Sequence, residues 1–267
     1  MKIKPPIILA VDTPELDTAK AWVECTSEFT SAYKLGLEFF LRHGAQGVRQ
    51  MQNATDADLF LDLKLHDIPN TVTQAALQVA DLSPRFLTVH ASGGSAMIQG
   101  AVKSAPLSII TAVTVLTSLS EIDWVEIGFA QDTGKSAVAL AQMSVKSGAK
   151  AIVCSPLEIG AISEAIPAHI LIITPGVRPK QDGAKDDQNR TMTPKGAIDA
   201  GADLLVIGRP ITQLWETGPE AMRERAKAIA GELSQGLLCE IDLTHENAPE
   251  AFSIATSRCF RQSCTVA

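Results

Sequence analysis

The sequence predicts an α/β protein built as a (β/α)8 barrel. Short apolar runs alternate with amphipathic stretches eight times along the 267 residues. The apolar runs are nearly continuous, a pattern typical of parallel strands that are covered by helices. Eight such units in a chain of this length favour a closed barrel over a doubly wound open sheet. The first strand also lacks the Gly-x-Gly-x-x-Gly sequence that follows it in dinucleotide-binding folds.

The predicted elements follow one another in a regular order. The strands are the apolar runs Ile7 to Val11, Ala32 to Leu37, Leu59 to Leu65, Phe86 to His90, Ser108 to Val115, Ala151 to Cys154, Ile170 to Thr174 and Leu204 to Ile207. Several of the amphipathic stretches begin with proline and acidic neighbours, as helices commonly do. These helices are Pro14 to Phe29, Phe39 to Gln52, Thr71 to Leu82, Ala96 to Lys103, Ser136 to Ser147, Glu158 to Ala165, Pro194 to Ala200 and Pro219 to Leu233.

The composition limits the classes of function. Hydrophobic residues make up 46% of the chain and charged residues 20%, as in a soluble globular protein with a large core. The net charge of -7 argues against general nucleic-acid binding, although a local pocket can still be positive. No apolar run approaches the roughly 18 residues of a membrane span, and the first residues do not resemble a signal peptide. We therefore expect a cytoplasmic protein that binds neither nucleic acid nor membranes.

The cysteines and the end of the chain indicate how the protein is divided. The five cysteines are odd in number and form no Cys-x-x-Cys pair, which favours a reducing compartment over a disulfide framework. The chain is expected to divide near residue 233, and residues 1–233 are expected to form the catalytic barrel. Residues 234–267 carry three of the cysteines and show no clear periodicity, so we treat them as a C-terminal appendage of unknown role.

The most informative motif is residues 62–71, which read Asp-Leu-Lys-Leu-His-Asp-Ile-Pro-Asn-Thr. Strand alternation is expected to place Asp62 and Lys64 on one face, with Asp67 in the following turn. Buried charge is costly unless it is paired, and a lone Asp-x-Lys is most often a structural ion pair. The full Asp-x-Lys-x-x-Asp pattern is much more restrictive and indicates a site.

Other polar residues are expected at the same end of the barrel. In such barrels, active residues lie at the C-terminal ends of the strands. The residues at or just beyond the predicted strand ends are Asp12, Lys34, Asp62, Lys64, His90, Thr117, Arg178 and Arg209. Charges collected at one rim indicate a binding site.

A phosphate site is predicted near the end of the chain. Residues 174–178 read Thr-Pro-Gly-Val-Arg and residues 207–210 read Ile-Gly-Arg-Pro, after the seventh and eighth strands. Loops at these positions commonly bind phosphate. Gly208 allows backbone amides to approach the anion, and Arg209 supplies two parallel donors. The polar stretch 180–190 lies where a lid over the phosphate would be useful.

The chain resembles the orotidine 5'-phosphate decarboxylase family over roughly residues 7–233. The resemblance depends on the two segments above, on residues 62–71, and on Leu-Ala-Val-Asp at 9–12 and Tyr-Lys-Leu-Gly at 33–36. It implies a homodimer that converts orotidine 5'-monophosphate to uridine 5'-monophosphate without metal or cofactor, in the last step of pyrimidine synthesis. One departure is Pro210, which stands where the family often has serine.

The resemblance also implies roles for individual residues. The catalytic residues would be a hydrogen-bonded chain of Lys34, Asp62 and Lys64, with Asp67 reaching in from the partner subunit. Thr71 would come from the partner with Asp67 and contact the ribose. The remaining residues would bind the substrate, at the ribose, the base or the phosphate; they are Asp12, Ile68, Thr117, Arg178, Gln188, Gly208 and Arg209. Whether Ser118 or His90 touches the substrate stays open, and His66 is expected to have a positional role.

The expected reaction suits these residues on physical grounds. Loss of CO2 from a carbon without an adjacent electron sink leaves a localised carbanion, so the protein must supply fixed charge there. Lys64 is placed to stabilise that carbanion and then protonate it, while Asp62 would repel the departing carboxylate.

Two other functions remain as alternatives. Metal-dependent sugar-phosphate decarboxylases and hexulose-phosphate synthases share the barrel and the Asp-x-Lys-x-x-Asp block, but they need an acidic ligand where this chain has Lys34. A non-catalytic phosphate- or nucleotide-binding barrel would keep Gly208 and Arg209. It would have no reason to combine Lys34 with the charges of residues 62–67.

Overall fold

The computed structural model describes residues 4–179 and 192–237, and it contains a closed barrel of parallel strands. Each strand pairs with the next in the sequence, and the eighth pairs with the first. The predicted (β/α)8 barrel is therefore confirmed. The strands are β1 Ile7–Ala10, β2 Ala32–Gly36, β3 Asp58–Leu65, β4 Phe86–His90, β5 Ile109–Val113, β6 Ala151–Val153, β7 Leu171–Thr174 and β8 Leu204–Ile207.

Helices connect the strands over the outside of the barrel. Within the described residues they are α1 Leu16–Thr26, α2 Leu37–Gln52, α3 Pro69–Ala80, α4 Gly94–Ser104, α5 Glu121–Glu126, α6 Thr133–Lys146, α7 Ile159–Ala165, α8 Pro194–Asp199, α9 Arg209–Thr212 and α10 Pro219–Leu237. All eight predicted helices are present with shifted ends, and the short helices α5 and α9 are additional. Helix α10 runs past residue 233, where the sequence pattern was expected to break.

Two apolar layers support the barrel. The larger layer lies between the strands and the helices, and a smaller cluster fills the barrel interior. In that interior the rings of Phe60 and Phe86 are stacked with centroids 5.4 Å apart, and both side chains are buried. Burial of one such side chain contributes roughly 1.5–3 kcal/mol. The filled interior leaves the C-terminal rim of the strands as the place for a cavity.

Strand β3 contains an irregularity that shapes this rim. Leu61 pairs with Leu87, whereas Leu65 pairs with Val89, so four steps along β3 match two along β4. Extra residues in one strand bend it and redirect its side chains. Lys64 lies within this bulge and has a φ of 46°, in the left-handed region.

None of the helices in the described ranges combines the length and hydropathy required to cross a membrane.

Candidate active site

A cavity of about 250 Å³ lies at the C-terminal ends of the strands. Its floor includes apolar side chains such as Phe60, Val113 and Val153. Its polar lining brings together eight of the residues predicted from the sequence, which are Asp12, Lys34, Asp62, Lys64, Thr117, Arg178, Gly208 and Arg209.

Four charged side chains form a chain of contacts along one wall. The Lys34 ammonium lies 3.3 Å from Oδ1 of Asp12 and 3.4 Å from Oδ2 of Asp62. The Lys64 ammonium lies 2.8 Å from the same Oδ2 of Asp62. The Asp62 side chain is only 10% exposed, whereas that of Lys64 is 32% exposed. These contacts thus run from the exposed Asp12 through Lys34 and the buried Asp62 to Lys64, whose ammonium solvent or a ligand can reach.

Charge pairing holds both buried members ionised. Burial alone would raise the pKa of Asp62, but the Lys34 and Lys64 ammoniums and hydrogen bonds from Lys64 and Thr88 hold it below its ordinary value. Burial alone would lower the pKa of Lys34, but the carboxylates of Asp62 and Asp12 raise it above its ordinary value. Fixed charges of both signs therefore face the cavity at neutral pH.

Asp62 and Lys64 lie in contact, as predicted, but regular strand alternation is not what brings them together. Simple strand alternation does not hold at Lys64, because its left-handed φ interrupts the extended conformation within β3. The Lys64 N–H instead donates to the Thr88 hydroxyl at 2.8 Å, and that hydroxyl donates to Oδ1 of Asp62 at 3.0 Å. The bulge in β3 and the side chain of Thr88 therefore set the geometry of the pair.

The second half of the motif, residues 67–71, does not line the cavity of its own chain. Asp67, Ile68 and Thr71 are exposed and are not among the cavity-lining residues. Oδ1 of Asp67 accepts a hydrogen bond from the Ile68 N–H at 2.7 Å, and no ion pair of Asp67 occurs within the described part of the chain. Within the described part of the chain, Lys64 therefore forms an ion pair with Asp62 but not with Asp67, and Asp62 lies between the ammoniums of Lys34 and Lys64.

The predicted phosphate-binding residues line another part of the cavity. A Cβ atom at Gly208 would lie 3.2 Å from the Cβ of Ala10, so this position favours glycine. Arg209 follows as the first residue of α9 and is exposed. The Arg178 N–H donates to the Met192 carbonyl at 2.8 Å, which joins the described residues on the two sides of the stretch 180–191.

Several predicted residues lie elsewhere. Gln188 and the stretch 180–190 lie outside the described residues. Ser118 is exposed and does not line the cavity, in contrast to its neighbour Thr117.

The two histidines of the rim form a pair beside the cavity. The rings of His66 and His90 lie 5.2 Å apart, and neither lines the cavity. Burial and the nearby His66 and Lys64 lower the pKa of His90, against an opposing effect of Asp62. Among the described residues, no three His, Cys, Asp or Glu side chains are grouped as metal ligands would be.

Two residues with a hydroxyl or thiol side chain at the site were not predicted. Thr88 is a buried partner of Asp62 and Lys64, and Cys154 is a buried residue of the cavity wall. A signal for Thr88 was available, because it is the polar residue in the middle of the apolar run 86–89. Cys154 has no comparable signal, because a small apolar residue at the end of an apolar run is also common in a protein core.

Comparison with known proteins agrees with this geometry. The model of the orotidine 5'-phosphate decarboxylase / HUMPS family matches residues 5–223. A protein named orotidine 5'-phosphate decarboxylase from Thermobifida fusca is 46% identical over 230 residues, covering 86% of this chain and 96% of that protein. One of the same name from Frankia casuarinae is 39% identical over 246 residues, covering 86% and 88%.

Solved structures give the same result. The crystal structure of orotidine 5'-phosphate decarboxylase from Lactobacillus acidophilus superposes with a TM-score of 0.71 and 34% identity, covering 85% of this chain and 99% of the other. The match to the family model and the coverage of these relatives extend over the barrel and its charged rim. The chain therefore belongs to the orotidine 5'-phosphate decarboxylase / HUMPS family.

Proposed function

We propose that this protein decarboxylates orotidine 5'-monophosphate to uridine 5'-monophosphate, in pyrimidine synthesis. The observation that carries the proposal is the contact chain Lys34–Asp62–Lys64 on the wall of a cavity that Arg209 also lines. Relatives named for this activity support it. The catalytic unit in this proposal is residues 1–233, and its compartment is the cytoplasm.

Lys64 is the central group of the proposed mechanism. Loss of CO2 from the pyrimidine leaves negative charge on one carbon, and a preorganised ammonium stabilises charge where it develops. Lys64 is the more exposed of the two ammoniums on Asp62, so it is the one that can approach the base. The same ammonium then donates a proton to that carbon.

Asp62 and Lys34 prepare Lys64 for this role. The 2.8 Å contact between Asp62 and Lys64 fixes where the ammonium lies. Lys34 balances the charge of Asp62 from the other side. Asp62 would also repel the substrate carboxylate, by about 4 kcal/mol for unit charges ~4 Å apart at an effective dielectric constant of ~20. Preorganised stabilisation by Lys64 accounts for catalysis without relying on that repulsion.

The phosphate of the substrate is assigned to the loops after β7 and β8. Gly208 leaves room for close approach, and Arg209 and Arg178 supply positive charge. Gln188 is proposed to contact the bound nucleotide from the polar stretch after β7. Binding energy from a phosphate remote from the reacting carbon can be used to raise turnover.

The active form is proposed to be a homodimer. Asp67 and Thr71 are exposed, and the apolar side chain of Ile68 between them is 66% exposed. An exposed segment of this kind suits insertion into the site of a second copy, where Asp67 would approach Lys64 and Thr71 would approach the ribose. Asp12, on the wall of the cavity, would bind the ribose from the same chain.

The metal-dependent branch of the family is disfavoured by the charges around Asp62. Two ammonium groups lie within 3.4 Å of its carboxylate. The metal-dependent enzymes hold an enediolate on a divalent cation at this position, and the two ammoniums would repel such a cation. Lys34 in particular replaces the acidic ligand expected at the end of the second strand.

The decisive test of the function is the ultraviolet absorbance of orotidine 5'-monophosphate incubated with the purified protein, with and without EDTA. Conversion to uridine 5'-monophosphate at the same rate in both samples is expected. Failure of the folded protein to convert the nucleotide, or conversion that EDTA abolishes, would refute the proposal.

A further inference from the structure

Thr88 faces the bulge that carries Asp62 and Lys64. It lies in β4 between Leu87 and Val89, which pair with Leu61 and Leu65 on either side of the bulge. The residue is 1% exposed and does not line the cavity. Thr88 is therefore placed behind the charged pair, where it cannot touch a ligand.

The hydroxyl of Thr88 has a defined orientation. It accepts a hydrogen bond from the Lys64 N–H at 2.8 Å and donates one to Oδ1 of Asp62 at 3.0 Å. A backbone N–H can only donate, and an ionised carboxylate can only accept. The proton of the hydroxyl is thus directed at Asp62, so one side chain connects both members of the pair.

Each of these two hydrogen bonds restrains a group of the charged pair, the backbone of Lys64 in one case and the carboxylate of Asp62 in the other. The bulge takes Lys64 out of the regular ladder, and its φ of 46° is unfavourable for a residue with a Cβ atom. The Thr88 hydroxyl satisfies the N–H in that conformation. At Asp62, Thr88 occupies Oδ1 while Lys34 and Lys64 share Oδ2, so the carboxylate cannot rotate without losing a partner.

We propose that Thr88 is a positioning residue that holds the Lys64 ammonium and the Asp62 carboxylate in the geometry required for decarboxylation. This inference depends on the proposed function and adds to it. It predicts that the hydroxyl, and not the bulk of the side chain, determines turnover.

The test compares three variants with the wild type. Thr88→Val removes the hydroxyl at nearly constant volume, and Thr88→Ser keeps it. The matched control is Thr111→Val: Thr111 pairs with Thr88 in the β4–β5 register, is fully buried, and donates only to the Ile109 carbonyl, at 3.0 Å. It does not line the cavity.

Turnover is the first readout. In Thr88→Val, kcat for orotidine 5'-monophosphate is expected to fall about tenfold to a hundredfold, as for a displaced catalytic group, with KM unchanged. Thr88→Ser is expected to retain most of the wild-type kcat, and Thr111→Val is expected to retain all of it. Equal losses in Thr88→Val and Thr111→Val, or a wild-type kcat in Thr88→Val, would overturn the proposal.

The pH profile separates positioning from general stability. Loss of the hydrogen bond from Thr88 raises the pKa of Asp62, so the acid limb of kcat is expected to move to higher pH only in Thr88→Val. The other charged groups that face Asp62, directly or through Lys34, are unchanged in all variants; they are Lys34, Lys64, His90 and Asp12. A lower melting temperature with an unmoved acid limb would assign Thr88 a structural role only.

Crystal structures provide a readout that does not need activity. In Thr88→Val, Lys64 is expected to leave the left-handed conformation and its contact with Asp62 to lengthen, whereas retention of both would overturn the inference. If Thr88→Val does not fold, Thr88→Ala removes the same hydroxyl and is judged by the same results. An inactive wild type would refute the proposed function, and these structures would still decide the role of Thr88.

Discussion

The ammonium of Lys64 lies 2.8 Å from Oδ2 of Asp62, although the two residues are not arranged as neighbours on a regular strand. Lys34 approaches the same oxygen to 3.4 Å. Asp62 thereby links two cavity-lining ammoniums, the largely buried one of Lys34 and the more exposed one of Lys64. The proposed chemistry depends on this link, because it fixes the position of Lys64 before a substrate binds.

Replacement of Asp62 by asparagine is expected to destabilise the fold. Asp62→Asn leaves the largely buried Lys34 with the exposed Asp12 as its remaining carboxylate partner, which should reduce the free energy of unfolding by roughly 3 kcal/mol at neutral pH. Urea denaturation of the two proteins measures the difference. Asp199→Asn is the matched control, since Asp199 forms an exposed 2.7 Å ion pair with Lys195 and should cost less than about 1 kcal/mol. Equal effects of the two variants would contradict the prediction.

The stabilisation from Asp62 should also depend on pH in a defined direction. The folded-state pKa of Asp62 is lowered, so its contribution is complete above the unfolded value of about 3.9 and is lost as pH falls through the folded value. The stability difference between wild type and Asp62→Asn should be constant from pH 7 to about 5 and shrink in more acid solution. A difference that grew on acidification would have the wrong sign.

Replacement of Arg209 is expected to weaken phosphate-bearing ligands selectively. Arg209→Ala should reduce the affinity for uridine 5'-monophosphate by roughly 1.5–3 kcal/mol, the value of a hydrogen bond to a charged group. Affinity for uridine, which lacks the phosphate, should not change. Calorimetry with both ligands measures the effect, and Arg42→Ala controls for loss of an exposed arginine, since Arg42 pairs with Glu15 outside the cavity. Equal losses for nucleotide and nucleoside would refute the assignment.

Asp67 should act in the site of the partner subunit. Asp67→Ala and Lys64→Ala are each expected to be inactive alone. After the two variants are unfolded together and refolded, mixed dimers contain one site with both residues intact, so activity should reappear. Each variant refolded alone is the control. Mixed dimers without activity would show that each site is built within one chain.

Much of the fold could be predicted from the sequence because parallel strands and their covering helices leave clear apolar patterns. The eight strands were found to within a few residues. Helix α5 was missed because it is only six residues long and carries exposed apolar side chains such as Ile122 and Val125, which obscure its amphipathic pattern. Helix α3 begins at Pro69, shortly before the amphipathic stretch that starts at Thr71, because proline is favoured in the first turn of a helix.

The site was predicted less completely than the fold. Charged residues at strand ends were sufficient to gather Lys34, Asp62 and Lys64 at one cavity. The role of Thr88 depends on the offset between β3 and β4, and no local pattern in the sequence encodes such an offset. The exposure of Asp67 likewise follows from the turn after β3, which no periodicity determines.

The most direct test of the central claim is the kcat of Lys64→Ala for orotidine 5'-monophosphate, measured together with its affinity for uridine 5'-monophosphate. We expect turnover to be abolished while the product still binds, because Lys64 supplies the charge and the proton for the reacting carbon. Lys227→Ala, which removes an exposed lysine paired with Glu224, should retain wild-type values of both. Substantial turnover by Lys64→Ala would contradict the account.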